Sequence, residues 1–228
     1  MYVLGIDTST MVCGAAVCRD GFAMALHEAP VRKSHSQTLL PLVRFLLESC
    51  RLKLSDIDAF AVSCGPGSFT GLRIGISTVK GLALATGMRA VGVPTLDAIA
   101  RCAPAGEPRV CSILDARRGE VYAAFYACRE GCLSKVTSDQ VAPPERLCEV
   151  VREPTFFLGD GLEHWGPVLG KCLGGELFRR GDARPVGVAS KVAEIGAELL
   201  SRWPSGRSIR IVPNYVRRSD AEINRQER

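Results

Sequence analysis

Residues 65–71 read Gly-Pro-Gly-Ser-Phe-Thr-Gly and lie between an apolar run ending at Cys64 and a long segment opening with Leu72, Arg73, Ile74 and Gly75. Three glycines in seven residues permit positive φ or close approach of a neighbouring chain, and Pro66 fixes one dihedral. Ser68 and Thr70 are hydroxyl residues of the kind that satisfy free amides at a helix start. The stretch therefore predicts a strand-to-helix turn of demanding geometry. Two readings of its use stand: a phosphate cradle on helix N-terminal amides, or a tight turn that lets a helix pack hard on a sheet. The Gly-Lys-Ser/Thr ending of a Walker A loop is missing, so no lysine is supplied to a phosphate chain. As a phosphate loop the candidates are Gly65, Gly67, Ser68 and Thr70, joined by Asp7, Thr8 and Ser9 from the first strand end.

Upstream, 2–6 predict a short strand that runs into Asp7-Thr8-Ser9-Thr10, and the apolar runs 12–18 and 22–27 flank Asp20-Gly21, a strong hairpin signal. Strand, aspartate, small hydroxyl residues and hairpin resemble the opening of the actin, Hsp70 and sugar-kinase fold, where that loop faces nucleotide phosphate and metal.

The segment 36–51 predicts a helix with a wide apolar face. Leu39, Leu40, Leu42, Val43, Phe45, Leu46, Leu47 and Cys50 cover an arc of about 220°, where a helix on one core needs about 100° or somewhat more. Either the helix is sandwiched within the fold or part of the face docks on another protein. A second helix over 70–87 carries Leu72, Ile76, Val79 and Ala83 on one face and Gly71, Gly75 and Thr78 on another, with Arg73 and Lys80 its only charges. It too should be largely buried, by its own fold or by a partner. His35 lacks an imidazole four residues on, because position 39 is Leu, so a histidine-based metal site is not expected.

Pro and Gly at 103–108 mark the best boundary, giving expected lobes over 1–103 and 104–228, with the tail able to pack back on the first. In the second lobe, 110–114 and 121–128 predict a hairpin whose turn carries Asp115, Arg117 and Arg118. A helix over 143–151, a strand over 155–158 ended by Gly159-Asp160-Gly161, a helix over 188–203 and an extended segment over 209–216 follow.

The net charge of +5 is concentrated in the tail, where seven arginines from Arg202 to Arg228 face three carboxylates. Such a tail either contacts nucleic acid or is a solvated end. Ten cysteines without a Cys-x-x-Cys pair read as buried free thiols. The first residues have no basic region and meet a carboxylate at Asp7, which is not a signal peptide, and no run approaches ~18 apolar residues; a cytoplasmic location is expected.

Taken together the residues resemble the bacterial TsaB (YeaZ) family of tRNA threonylcarbamoyladenosine biosynthesis. The resemblance covers 6–217 and rests on Ile-Asp-Thr-Ser at 6–9, His35-Ser36 before a Leu-Leu-Pro helix, 65–73, Asp-Ala-Arg at 115–117 with Glu120, Val121 and Tyr122, Gly-Asp-Gly at 159–161, and Pro213, Tyr215 and Arg217. It implies a two-lobed α/β fold of the actin and Hsp70 (ASKHA) type, built from duplicated ribonuclease-H-like lobes with the second reduced. It also implies a non-catalytic subunit with no cofactor of its own. Its partners would be a TsaD-type paralogue that holds the metal and transfers threonylcarbamoyl, a TsaE-type ATPase, and tRNA through the complex; a homodimer of the lone chain is compatible with the apolar helices. The paralogue carries His-x-x-x-His on the helix matched here by His35 and Leu39. Pairing in the family runs through first-lobe helices, which marks Leu39, Leu42, Val43, Phe45, Leu46, Ile76, Val79 and Lys80 as the expected interface. The competing expectations are an ATP- and metal-dependent enzyme, phosphotransferase or glycopeptidase-like, and simple tRNA binding through the arginine tail.

Overall fold

A computed structural model describes residues 1–31, 34–202 and 211–217. The arginine tail expected to meet nucleic acid lies mostly outside the described residues, as does the start of the extended segment expected over 209–216. The chain forms two compact units, Met1–Ala98 with Gly187–Asn214, and Ile99–Val186 with Tyr215–Arg228. The division expected at 103/104 falls five residues earlier, and the chain returns to the first unit at Gly187.

The first unit holds β1 (Tyr2–Asp7), β2 (Val12–Arg19), β3 (Phe22–Pro30), α1 (His35–Ser49), β4 (Ala59–Ser63), α2 (Phe69–Thr86), β5 (Arg89–Val93) and α6 (Val188–Ser201); α3 (Thr95–Ala100) begins within it. The sheet order is β3-β2-β1-β4-β5. The first three strands form an antiparallel meander, and β1-β4-β5 run parallel. The expected hairpin turn is there, with Asp20 at φ 52° and Gly21 at φ 88°, the left-handed pair that matches strand twist.

Strands β1, β2 and β4 are buried on both faces, and the two faces differ in side-chain size. Leu4, Ile6, Cys13, Ala15, Val17, Phe60 and Val62 join Leu39, Val43, Leu46 and Leu47 of α1 and Ile76 and Val79 of α2 in one core. On the opposite face small residues receive α6. A Cβ on Gly5 would stand 2.6 Å from the Ala189 carbonyl oxygen and the Ala193 nitrogen, so the helix lies directly on β1. The alternation of the sheet thus sends large side chains one way and backbone contact the other.

The second unit holds β6 (Arg109–Arg117), β7 (Glu120–Arg129), β8 (Cys132–Lys135), β9 (Gln140–Ala142), α4 (Pro144–Val150), β10 (Thr155–Leu158), α5 (Gly161–Leu177) and β11 (Phe178–Arg180). Its sheet order is β11-β10-β6-β7-β8, with β9 also pairing β7. Read from β8, the order and the directions repeat those of the first unit: a three-strand antiparallel meander, then two parallel strands reached by helical crossovers. The strands are shorter, four residues in β10 and three in β11 against five in both β4 and β5. Gly159-Asp160-Gly161 ends β10 as expected and also opens α5, a helix hidden in the sequence by its glycines and Pro167.

Candidate functional site

The turn at 65–71 brings the end of β1, the end of β4 and the start of α2 together. Gly65 and Gly67 have φ of 115° and 152°, values that exclude ordinary side chains. Much of the loop's hydrogen-bonding capacity is used within the protein. Gly65 N donates to Thr95 Oγ1 at 3.1 Å, and Ser68 N donates to the Ser9 carbonyl at 2.7 Å. Ser68 caps α2, accepting from Gly71 N at 3.2 Å through its hydroxyl, and its carbonyl accepts from Leu72 N at 2.8 Å.

Thr8 makes the complementary contact. Its Oγ1 donates to the Gly71 carbonyl at 2.8 Å, and any Cβ at Gly71 or Gly75 would overlap Thr8 itself. The small residues of α2 therefore pack on the end of β1. Asp7, 4% exposed, turns inward: its Oδ1 accepts from Ser63 Oγ in a short hydrogen bond and from Ser9 N at 3.1 Å. The Ser9 hydroxyl is buried and makes no hydrogen bond. Thr70 is exposed.

His35, the first residue of α1, is buried, with Nε2 2.9 Å from the Thr10 carbonyl oxygen. The imidazole ties the loop after β1 to the start of α1. Four residues on, Leu39 is in the core, 1% exposed. Among the described residues no cluster of three His, Cys, Asp or Glu side chains is placed to hold a metal ion.

The residues expected to form an interface divide sharply. Leu39, Val43, Leu46, Ile76 and Val79 are buried in this chain's own core, which corrects their assignment to a docking face: the sandwiched reading holds for them. Leu42 is half-buried, whereas Phe45 and Lys80 are exposed. Leu40 and Leu84, not among the expected interface residues, are 52% and 87% exposed. Their signal was present in the wheel, but sequence cannot say which side of a wide apolar arc faces the sheet.

The second unit gathers the other sequence motifs. In the β6–β7 turn Arg117 and Arg118 take φ of 64° and 53° before Gly119. Asp115 accepts from Arg117 N at 2.9 Å and pairs with Arg117 Nη1 at 3.3 Å. Asp160, beneath it, accepts from Asp115 N at 3.0 Å. Burial pushes the Asp160 carboxyl up to about 6; that hydrogen bond opposes the rise and the Asp115 charge adds to it. Arg217 reaches the same hairpin, with Nη1 3.1 Å from the Ala116 carbonyl and 3.2 Å from Glu120 Oε2. The cluster joins three separate motifs into one hydrogen-bonded brace. The cysteines are only partly as expected: all ten are free, but Cys132 and Cys172 are exposed and only Cys13, Cys18 and Cys111 are fully buried.

The repeated sheet order and the aspartate-bearing loop after the first strand place the chain in the actin, hexokinase and Hsp70-like class of α/β proteins. The Thermus thermophilus ROK hexokinase superposes with a TM-score of 0.51 at 12% identity, covering 89% of this chain and all of that one, a likeness of fold alone. The family model for TsaD, tRNA N6-adenosine threonylcarbamoyltransferase, matches residues 29–155. The Bacillus subtilis tRNA threonylcarbamoyladenosine biosynthesis protein TsaB is 31% identical over 97% of this chain and 96% of its own length. YeaZ from Pseudomonas aeruginosa superposes with a TM-score of 0.79 at 32% identity, over 94% of this chain and 99% of that one. The chain belongs to the TsaB (YeaZ) family. No described helix is long and apolar enough to cross a membrane.

Proposed function

We propose that this chain is the non-catalytic subunit of the complex that forms threonylcarbamoyladenosine next to the anticodon in tRNAs reading codons that begin with A. In this reading it stabilises and activates a TsaD-type catalytic paralogue, and a TsaE-type ATPase acts on the pair. The observation that carries the proposal is the pairing of His35 with Leu39: the one imidazole is held on the Thr10 carbonyl, and the position where a second ligand would stand is core leucine. The outer sides of α1 and α2, with Leu40, Phe45, Lys80 and Leu84 exposed, are the proposed pairing surface. Their apolar side chains support an occupant that is itself a packed helical surface.

The test is reconstitution with the partner, tRNA, threonylcarbamoyl-adenylate and the ATPase, omitting each in turn. Modification is expected only when the paralogue is present, and omission of this chain should slow it. Turnover by this chain alone would overturn the reading. Calorimetry with ATP and ADP separately tests nucleotide affinity at the loop formed by Asp7–Ser9 and 65–70.

A further inference from the structure

Strand β3 ends the sheet of the first unit: among the described residues it pairs with β2 and with no other strand. An open edge displays unpaired N–H and C=O groups, which proteins ordinarily guard with charged side chains, lysine above all. The strands at the other ends of the two sheets follow this rule, with Arg89 on β5, Lys135 on β8, and Arg179 and Arg180 on β11. Strand β3 carries neither lysine nor arginine, and the stretch from Phe22 to Leu26 has no charge at all. Phe22 and Met24 are 79% and 43% exposed. We propose that this edge is a self-association surface, on which β3 of a second copy of this chain docks antiparallel about a two-fold axis at Leu26.

The alternation of the ladder fixes which backbone groups face outward. Val31 N donates to the Met11 carbonyl at 2.9 Å, so the bonded pairs recur at every second residue: Cys13 with Ala29, Ala15 with His27, and Val17 with Ala25. The N–H and C=O of Leu26 and Glu28 therefore point away from β2. The register slips between Val17 and Cys18 and leaves Met24 opposite no residue of β2, so Met24 also stands outside that ladder.

The strand is complementary to itself. Leu26 is the midpoint of Phe22–Pro30, so pairing about it sets Phe22 opposite Pro30, Met24 opposite Glu28, and Ala25 opposite His27 of the second copy. Leu26 then exchanges both backbone bonds with its counterpart. His27 and Glu28, the titratable side chains of the strand, each meet an apolar residue, and no like charges face each other. The Glu28 carboxylate keeps its bond from Gly187 N. An axis at Glu28 would oppose two carboxylates and bring Pro30, which has no N–H, into the ladder. An axis at His27 would oppose two imidazoles. Charge and backbone bonding thus select a second copy in this one register. A contact confined to one strand is small, which makes the dimer weak.

Sedimentation equilibrium of the full-length chain alone, carried into the high micromolar range, tests this. The expected result is a reversible monomer–dimer equilibrium, with amide hydrogen exchange at Leu26 and Glu28 slowing as the dimer fills. Met24→Glu places a carboxylate opposite Glu28 twice per dimer and should weaken association at least roughly tenfold, whereas Met24→Lys should keep or strengthen it. Leu26→Pro removes an outward N–H without breaking a bond to β2 and should abolish the dimer. Thermal midpoints of the two Met24 variants, changed at an exposed site, should match wild type, which separates lost association from lost fold. A wild-type chain that stays monomeric, a dimer of equal strength in Met24→Glu and Met24→Lys, or a dimer lost in Leu84→Glu and kept in Met24→Glu would overturn the proposal.

Discussion

Thr8 Oγ1 donates to the Gly71 carbonyl at 2.8 Å, and the first turn of α2 lies so close to Thr8 that no side chain fits at position 71. The glycine-rich turn is therefore an instrument of packing: its conformation seats a nearly uncharged helix on the end of β1. Gly71→Ala should displace α2 and cost at least about 1–3 kcal/mol, the usual penalty of overpacking, because the opposing atom is backbone and cannot swing aside. Gly81→Ala, on the same helix with open space around it, should be neutral or slightly stabilising. Urea midpoints of the two variants check the contrast, and equal midpoints would contradict it.

Leu46 and Phe45 are adjacent on α1 yet have opposite surroundings. Leu46 is wholly buried and Phe45 is 58% exposed, edge-on to His27 at 4.6 Å. Leu46→Ala is expected to lose about 2–5 kcal/mol, as core truncations do. Phe45→Ala should lose less than about 1 kcal/mol in the lone chain, while weakening association with the TsaD-type partner at least roughly tenfold if that face is the pairing surface. Thermal denaturation and a titration with the partner measure the two effects separately.

Glu28 on β3 reaches the N-terminus of α6, accepting from Gly187 N at 3.1 Å across 159 residues of sequence. The helix has no side-chain cap of its own, since its N-cap is Gly187. Burial raises the Glu28 pKa, and the Gly187 and Val188 amides oppose the rise. Glu28→Ala should cost about 1 kcal/mol, the ordinary worth of a lost helix cap. Amide hydrogen exchange at 187–190 should speed up before exchange elsewhere in the first unit.

Asp160 gives a pH signature. Burial raises its carboxyl to about 6 from the ordinary 3.8, so the native state binds the extra proton between these values and stability falls as pH rises through that window. The penalty is fully present above about pH 6 and disappears below about pH 4. Asp160→Asn keeps an oxygen to accept from Asp115 N and removes the charge. It should gain up to about 2–3 kcal/mol over wild type at pH 7.5, with the difference closing as pH falls to 4. A difference that is flat in pH would show that Asp160 is not held out of water as the structure has it.

Much of the local structure was legible before any coordinates. Asp20-Gly21 fixed a hairpin because its left-handed backbone matches strand twist, and the 155–158 strand and the helices α1 and α2 follow from periodicity and caps that act within a few residues. The turn's strand-to-helix role was also legible, but its use was not: whether its amides meet a phosphate or Ser9 and Thr95 depends on atoms distant in the chain. Helix α5 escaped notice because Gly166, Gly170, Gly174 and Pro167 oppose helix by local preference, and only burial of Leu162, Leu169 and Leu173 in the second core outweighs them.

By itself the sequence determined where the chain turns, which segments are strand or helix at its strongest periodicities, and that α1 and α2 carry more apolar surface than a single contact needs. Only the tertiary structure decided that Leu39, Val43 and Leu46 face the sheet while Leu40 and Phe45 do not, that Glu28 caps α6, and that 187–214 returns to the first unit. Those outcomes rest on the orientation of whole elements against one another. Apolar burial is non-directional, so a wide apolar arc permits several orientations, and the close backbone approaches at Thr8–Gly71 and Gly5–Ala193 select one.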